Sequence, residues 1–286
     1  MLSKLTPEIH IFVSDSLAKD IDESFIINSL HNDFKLSIPD SKEIFDQVVR
    51  MRNEAIGKGV ERPTPNIRIN VINPFLEQIK TKSNKFIVDS REVKIIFSMD
   101  KPEVVFLDNL FSDEECDHLI NVSKANLSKS TVAVHGQGTS ELSEYRTSDS
   151  TSIQKHQDDI VRGIEERISK VFNWNNFDTD DIQVLRYEVG QQYKPHYDFF
   201  ADGSSFVVGQ GERIATLILY LDEPTKGGET YFPDINLRVH CKKGSALFFA
   251  YPNPVPDSKT LHAGSPVIEG TKWIATKWFR SLDKQV

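Results

Sequence analysis

Apolar residues in the first 90 positions recur at helical spacing in two stretches. The first covers 17–30 and follows a Ser-Asp-Ser sequence suited to a helix N-cap, and the second covers 42–56. A proline pair around residue 64 interrupts this pattern, and the alternation over 66–71 then predicts a strand. The pattern predicts a small α/β region, residues 1–90, that carries no chemical motif.

From residue 91 the pattern changes to short apolar runs separated by glycine and proline. Ser112 and Glu115 form a capping box before one predicted helix, and a second helix is predicted over 154–172. The strands predicted by alternation are 93–97, 104–107, 182–188, 195–199, 214–221, 230–232, 237–239, 246–249, 266–267 and 273–280. Many short strands with supporting helices predict an α+β domain over 91–286, built on a double-stranded β-helix, or jelly-roll, core.

Composition and charge narrow the class of protein. The 286-residue chain is 38% apolar and 27% charged, as in soluble globular proteins, and its formal charge of −8 gives no basic footprint for nucleic acid. No apolar run approaches the ~18 residues of a membrane span, and the start of the sequence has no signal-peptide core. We therefore expect a cytoplasmic protein with neither a nucleic-acid nor a membrane partner.

The cysteine pattern gives no sign of a disulfide or a zinc site. Cys116 falls on a predicted helix and Cys241 near a predicted strand, and the sequence contains no CxxC motif. We expect both thiols to be reduced and at least partly buried.

The strongest chemical signal is the sequence HYD at 196–198, followed by a distant His262. Residues two apart in a strand face the same side, so His196 and Asp198 are expected to reach one ion together. Two imidazoles and one carboxylate form the facial set typical of non-haem iron oxygenases, although zinc accepts the same ligands. His240 is the strongest competing histidine.

Lys272 begins the last strand and adds a charge to this picture. Alternation places Lys272 and Trp278 on one face and Lys277 on the other, which we expect to be the surface. A lysine inside the barrel needs an anion, and the carboxylate of a ligand is the natural partner.

Two stretches rich in glycine and serine, 135–140 and 202–211, are expected to be loops that close over a substrate.

Together these residues resemble the 2-oxoglutarate- and iron(II)-dependent prolyl 4-hydroxylases. The resemblance covers residues 93–286. It is carried by RTS (146–148), QVLRYEVGQQYKPHYDFF (183–200), ERIATLILYLDEPTKGGETYFP (212–233), KKGSALFF (242–249) and LHAGSPVIEGTKWIATKWFR (261–280).

The resemblance implies a role for each matching position. It makes His196, Asp198 and His262 the iron ligands, and Lys272, with Tyr187 and Thr230, the binding residues for 2-oxoglutarate. Arg213 is implied as a basic residue of the catalytic centre. The implied substrate-binding residues are Tyr193, Trp278, Arg146, Ser148 and Arg280. Arg280 departs from the histidine often found there, which leaves the substrate open.

The implied reaction consumes 2-oxoglutarate and dioxygen, releases succinate and carbon dioxide, and hydroxylates carbon 4 of proline in a peptide or protein. Ascorbate is implied as a reductant. Lysine, a free amino acid and a small metabolite remain alternative substrates, although lysine rather than arginine at 272 favours the prolyl group. A metal-binding or sensory barrel without turnover is the alternative from another class. Residues 1–90 have three roles open: substrate docking, homodimer formation and bracing of the barrel.

Overall fold

The computed structural model describes residues 9, 12–13, 23–32, 34–57, 83–133, 140–174, 179–200, 211–251 and 256–281. The chain divides into two compact units, Met1–Asn66 and Ile67–Val286. The predicted strand at 66–71 and nearly all of both glycine-rich stretches lie outside the described residues. Within those residues, no helix is long and apolar enough to cross a membrane.

The first unit contains the two predicted helices, α1 (Glu23–Asn32) and α2 (Ile38–Gly57). The start of α2 is set by Ser37, whose hydroxyl accepts a hydrogen bond from the backbone N–H of Asp40. The apolar faces of the helices pack into one small core, formed by Ile9, Val13, Ile26, Leu30, Ile44, Phe45 and Val48.

The second unit is mostly β-structure and starts earlier than the boundary expected at residue 91. Its strands β1 to β17 are Lys85–Val88, Arg91–Asp100, Glu103–Asp108, Ser128–Lys129, Thr131–Ala133, Ser140–Leu142, Asp149–Ile153, Ile182–Tyr187, Tyr193–His196, Arg213–Asp222, Lys226–Gly227, Thr230–Phe232, Leu237–Val239, Ala246–Ala250, His262–Gly264, Val267–Glu269 and Lys272–Arg280. Because β1 pairs with β2 along its whole length, residues before 91 are part of the sheet.

Two antiparallel sheets form the expected jelly-roll core. The large sheet has nine strands in the order β1-β2-β3-β14-β10-β17-β8-β7-β4, and the small sheet has four in the order β13-β12-β15-β9. The sheets pack face to face around aromatic residues that include Tyr220, Phe232 and Phe249.

The other face of the large sheet is covered by two helices, α3 (Asp113–Ser123) and α4 (Asp159–Phe172). The capping box predicted at the start of α3 is present in both directions between Ser112 and Glu115. Helix α4 begins later than predicted because Asp158 caps it, and its Phe172 stacks on Phe248 of the sheet, with ring centroids 4.7 Å apart.

The expectation that Lys277 faces solvent was wrong. Lys277 does point away from Lys272, but α4 covers that face of β17, and the side chains of Lys277 and Glu165 are both 0% exposed. They form an ion pair with an N–O distance of 2.5 Å, and the carboxylate of Glu165 also accepts the backbone N–H of His156. The sheet therefore has a buried ion pair where solvent was expected.

We expect Lys277→Met to lower the free energy of unfolding by about 3–5 kcal/mol, because it leaves the Glu165 carboxylate buried without a counter-charge. Replacing both partners, Lys277→Met with Glu165→Leu, should cost much less, since no charge remains buried. Urea unfolding measures both values. Lys85→Met, which removes an exposed ion pair with Glu92, is the matched control and should leave the free energy of unfolding close to that of wild type. Equal losses for Lys277→Met and this control would contradict the account.

Candidate active site

The three predicted metal ligands converge in the interior of the second unit. Strands β9 and β15 are neighbours, and His196 and His262 lie opposite each other in the register. Strand β9 ends at His196, so Asp198 reaches the histidines from the segment after the strand rather than from its face. One donor atom from each side chain lies within 4.8 Å of the others, the only such group found among the described residues.

Hydrogen bonds orient both imidazole rings. The Nδ1 atoms of His196 and His262 lie 2.9 and 3.0 Å from the carbonyl oxygens of Lys194 and Thr260. A carbonyl only accepts, so each Nδ1 carries the proton, and each Nε2 keeps a lone pair directed at the centre. Each Nε2 lies 3.6 Å from an oxygen of Asp198.

The charge states of these side chains suit a divalent cation. Burial, together with the neighbouring His196, lowers the pKa of His262 to about 4, so this imidazole is neutral at neutral pH. Burial alone would raise the pKa of Asp198, but neighbouring groups, among them the charged guanidinium of Arg213, hold that pKa well below its usual range. Neutral imidazole nitrogens and a carboxylate are the donors that a non-haem ferrous site uses.

A chain of hydroxyl groups fixes the carboxylate of Asp198. The Thr216 hydroxyl donates to Oδ2 of Asp198 at 2.7 Å and lies 2.7 Å from the hydroxyl of Tyr251. An ionised carboxylate cannot donate, so the hydroxyl proton of Thr216 points to Asp198, and Tyr251 must donate to Thr216. Both residues are 0% exposed.

We expect Thr216→Val to weaken Mn²⁺ or Co²⁺ binding by roughly ten- to a hundredfold, because hydrogen bonds to ligands of this kind tune metal affinity. Thr216→Ser keeps the hydroxyl and should stay close to wild type. Titration of the metal-free protein, followed by the absorption of Co²⁺ or by thermal stabilisation with Mn²⁺, gives the affinities. Equal affinities for the valine and serine variants would mean that the hydroxyl does not support the ligand.

Lys272 stands beside the three ligands, buried and without an acidic neighbour. Its side chain is 1% exposed, and it forms no ion pair within the described part of the chain. Its Nζ lies 5.3 Å from the ring centroid of Tyr187, which is opposite it in the register of β17 and β8. Gly264 lies next to this ammonium: a Cβ added at that glycine would be 3.8 Å from Nζ of Lys272. A buried ammonium in such a place fits a carboxylate ligand.

One cavity joins the metal ligands to Lys272. Its wall contains most of the residues predicted to bind cosubstrate and substrate. The lining residues are Arg146, Leu185, Tyr187, Tyr193, His196, Asp198, Ile218, Thr230, His262, Ala263, Gly264, Lys272, Ile274, Thr276 and Trp278.

Comparison with known proteins shows which family this chain belongs to. Residues 182–280 match the model of the 2OG-Fe(II) oxygenase superfamily. The chain is 41% identical over 229 residues to probable prolyl 4-hydroxylase 4 of Arabidopsis thaliana, and the alignment covers 71% of this chain and 76% of the relative. Prolyl 4-hydroxylase 2 of the same plant is 42% identical over 223 residues, with coverage of 69% and 74%. The chain belongs to the prolyl 4-hydroxylase family.

A solved structure agrees with this assignment to the prolyl 4-hydroxylase family. The viral collagen prolyl hydroxylase of Paramecium bursaria Chlorella virus-1, solved as a 2-oxoglutarate complex, is 32% identical. The structural alignment covers 63% of this chain and 96% of the viral chain, with a TM-score of 0.51. The expected family and jelly-roll core are confirmed.

In this prolyl 4-hydroxylase family member, the predicted cosubstrate residues Tyr187 and Thr230 both line the cavity. Tyr187 is 3% exposed. The hydroxyl of Thr230 lies 2.8 Å from that of Tyr220, a neighbour that gave no signal in the sequence.

Aromatic and basic residues form the wall on the predicted substrate side. Tyr193 stacks on the ring of His196 at 3.5 Å between centroids, and the guanidinium carbon of Arg146 lies 4.8 Å from the Tyr193 ring. Burial raises the pKa of Tyr193 to about 12, so its hydroxyl stays protonated. Trp278 also lines the cavity, and its Nε1 is buried without a hydrogen-bond partner. Its N–H is therefore available to a ligand.

Two residues predicted to contact substrate lie outside the cavity lining. Ser148 is 0% exposed, and its hydroxyl pairs with that of Ser130 at 2.8 Å, so it braces the segment just before β7. Arg280 is 5% exposed and binds the carboxylate of Asp180 and the carbonyl of Gly211. The resemblance placed both residues at the substrate, whereas the structure pairs each with polar groups from elsewhere in the chain.

Arg213, the predicted catalytic basic residue, also binds Asp180 and is not part of the cavity lining. Its Nη1 donates to the backbone carbonyl of Asp198 at 3.3 Å. Asp180 itself was not foreseen, because a single acidic residue in a loop carries no motif. The competing histidine, His240, is exposed and belongs to no ligand group found in the described ranges.

Neither cysteine forms a disulfide. Both thiols are free, with Cys116 buried and Cys241 partly buried, which confirms the expectation. Burial raises the pKa of Cys116 to about 12, which keeps that thiol protonated and unreactive.

Proposed function

We propose that this protein is a 2-oxoglutarate- and Fe(II)-dependent dioxygenase that hydroxylates prolyl residues at carbon 4 in a peptide or protein. The observation that carries the proposal is a buried, unpaired Lys272 in the same cavity as the His196, Asp198 and His262 cluster. 2-Oxoglutarate has two carboxylates, so it can bind the metal centre with one end and Lys272 with the other. The prolyl substrate class is taken from the names of the relatives.

Each group in the cavity has a defined task. The Nε2 atoms of the two histidines and the carboxylate of Asp198 hold the iron. The chemistry supplied by an iron ion held there is activation of dioxygen, which couples decarboxylation of 2-oxoglutarate to insertion of one oxygen atom into a C–H bond. Lys272 neutralises the distal carboxylate of 2-oxoglutarate, and Thr230 and Tyr187 line the space around that pair.

The substrate side of the cavity suits proline. Tyr193 and Trp278 present aromatic surface to an apolar ring, and a proline-rich peptide is extended before it binds, so little conformational entropy is lost. The free Nε1–H of Trp278 offers one donor to a peptide carbonyl. Buried side chains around the metal ligands exclude water from the reacting atoms.

Several properties of the protein belong to the same proposal. We propose that ascorbate acts as its reductant and that it works in the cytoplasm without a nucleic-acid or membrane partner. The roles of the two predicted domains remain expectations, and homodimer formation through the first unit remains one of the three roles open to that unit.

The test is succinate formation from 2-oxoglutarate with Fe(II), ascorbate and a panel of proline-containing peptides. Matched peptides with alanine in place of proline are the controls, and lysine peptides and free proline represent the alternatives. We expect 4-hydroxyproline, identified by chromatography of the hydrolysed product, in molar equality with succinate. Coupled turnover with only a non-proline substrate would refute the prolyl assignment and leave the oxygenase assignment in place.

A further inference from the structure

Asp180 binds two arginines at once behind the substrate wall. Its carboxylate accepts from Nε and Nη2 of Arg213 at 3.1 and 2.9 Å, and from Nε and Nη2 of Arg280 at 2.6 and 3.2 Å. The side chains of Asp180, Arg213 and Arg280 are only 19%, 16% and 6% exposed. The backbone N–H of Asp180 donates to the carbonyl of Trp278, which ties the loop to β17.

Arg213 connects this cluster to the cavity. Its guanidinium carbon lies 3.7 Å from the ring centroid of Trp278 and 4.5 Å from that of Phe200. A guanidinium held over an indole ring restricts how far that ring can turn. Trp278 lines the cavity, so the orientation of one substrate-facing surface depends on where Arg213 is held.

The charges around the cluster make the position of Arg213 depend on the carboxylate of Asp180. Both arginines face Asp180. Two other carboxylates lie near Arg213: Asp198 is one of the three metal ligands, and Glu212 has its pKa raised to about 7 by burial, so it carries only part of a charge at neutral pH. Without the Asp180 carboxylate, two buried guanidinium groups would repel each other across a short distance. Arg213 would then lose its two bonds from Nε and Nη2 and keep only the bond from Nη1 to the backbone carbonyl of Asp198, so its guanidinium would shift away from the indole ring.

We propose that Asp180 is a positioning residue for substrate binding: by holding Arg213 against Trp278, with Arg280 as the second arm, it sets the affinity of the cavity for the peptide. This inference rests on the proposed function for its substrate. Arg280, which binds Asp180 and does not line the cavity, acts on the peptide through Asp180 rather than by touching it.

The test is Asp180→Asn in the full chain, with an oligoproline peptide as the probe. We expect the KM for the peptide to rise about tenfold or more, while kcat falls less and the KM for 2-oxoglutarate stays within about twofold. Asp180→Glu restores the carboxylate and should recover part of the loss. Asp181→Asn changes the exposed neighbouring acid and should behave as wild type.

Tryptophan fluorescence gives a second readout that needs no substrate. The chain has three tryptophans, so the Trp278 signal is the difference between each protein and the same protein carrying Trp278→Phe. We expect Asp180→Asn to change that difference, because the guanidinium leaves the indole, and Asp181→Asn to preserve it.

The outcomes separate this inference from the proposed function. An Asp180→Asn protein with wild-type Trp278 emission, or with parallel losses in peptide KM, 2-oxoglutarate KM and melting temperature, overturns the positioning role. A changed Trp278 signal in a protein that hydroxylates no proline peptide supports the positioning role and counts against the prolyl substrate.

Discussion

His196→Ala is expected to lower coupled turnover of 2-oxoglutarate and peptide by at least about a thousandfold, because it removes one of the two imidazoles of the metal centre. His196 is 7% exposed, and its Nε2 lies 3.6 Å from the carboxylate of Asp198. Succinate release measures turnover, and Mn²⁺ titration should show a matching loss of metal affinity. With one nitrogen and one carboxylate left, the ion has neither the ligand number nor the geometry it requires.

The matched control for this variant is His240→Ala, which removes an exposed imidazole outside the ligand group. It should retain wild-type turnover. The melting temperature of the metal-free His196→Ala protein checks that the fold survives, since Tyr193 stacks on the ring that is removed. Full coupled turnover by His196→Ala would show that the metal assignment is wrong.

Lys272→Ala has the second largest expected effect, a rise of about a hundredfold in the KM for 2-oxoglutarate. The distal carboxylate would lose the buried counter-charge of Lys272, a loss in the range measured for buried charge pairs. Metal affinity without 2-oxoglutarate should stay the same, because Lys272 is no ligand. The free energy of unfolding should not fall, since the variant removes an ammonium that is 1% exposed and has no acidic partner in the described ranges.

A cosubstrate analogue makes the Lys272 prediction specific. 2-Oxopentanoate keeps the chain length of 2-oxoglutarate but lacks the distal carboxylate. Wild type should bind 2-oxoglutarate far more tightly than the analogue, whereas Lys272→Ala should bind the two about equally. Lys226→Ala, at an exposed lysine, is the control and should keep the wild-type preference. A preference that survives in Lys272→Ala would place the distal carboxylate elsewhere.

The sequence allowed prediction of the metal centre because its ligands lie on or beside regular strands. Alternation in β17 correctly separated Lys272 from Lys277, since strand parity is a local property. The same reasoning failed for the environment of Lys277, because whether a strand face meets solvent or a helix depends on packing with distant residues. Helix α4 and its Glu165 supply that environment.

Polar partners that arrive from other parts of the chain were beyond prediction. Asp180 lies in a loop, and its partners Arg213 and Arg280 become neighbours only when β10 and β17 pair. The hydroxyl chain from Tyr251 through Thr216 to Asp198 likewise joins three segments. Strand β7 was missed because its sequence, DSTSI, is polar, and the buried carboxylate of Asp149 finds its partners, Lys129 and Arg186, on the neighbouring strands β4 and β8.

The central claim is that dioxygen, 2-oxoglutarate and a prolyl residue meet at the His196, Asp198 and His262 centre. The most direct test is turnover of an oligoproline peptide under isotopically labelled dioxygen, with mass spectrometry of both products. We expect one labelled oxygen atom in 4-hydroxyproline, the other in succinate, and no labelled product with His196→Ala. Hydroxyproline whose oxygen comes from solvent even at short reaction times, or labelled succinate with an unmodified peptide, would contradict it.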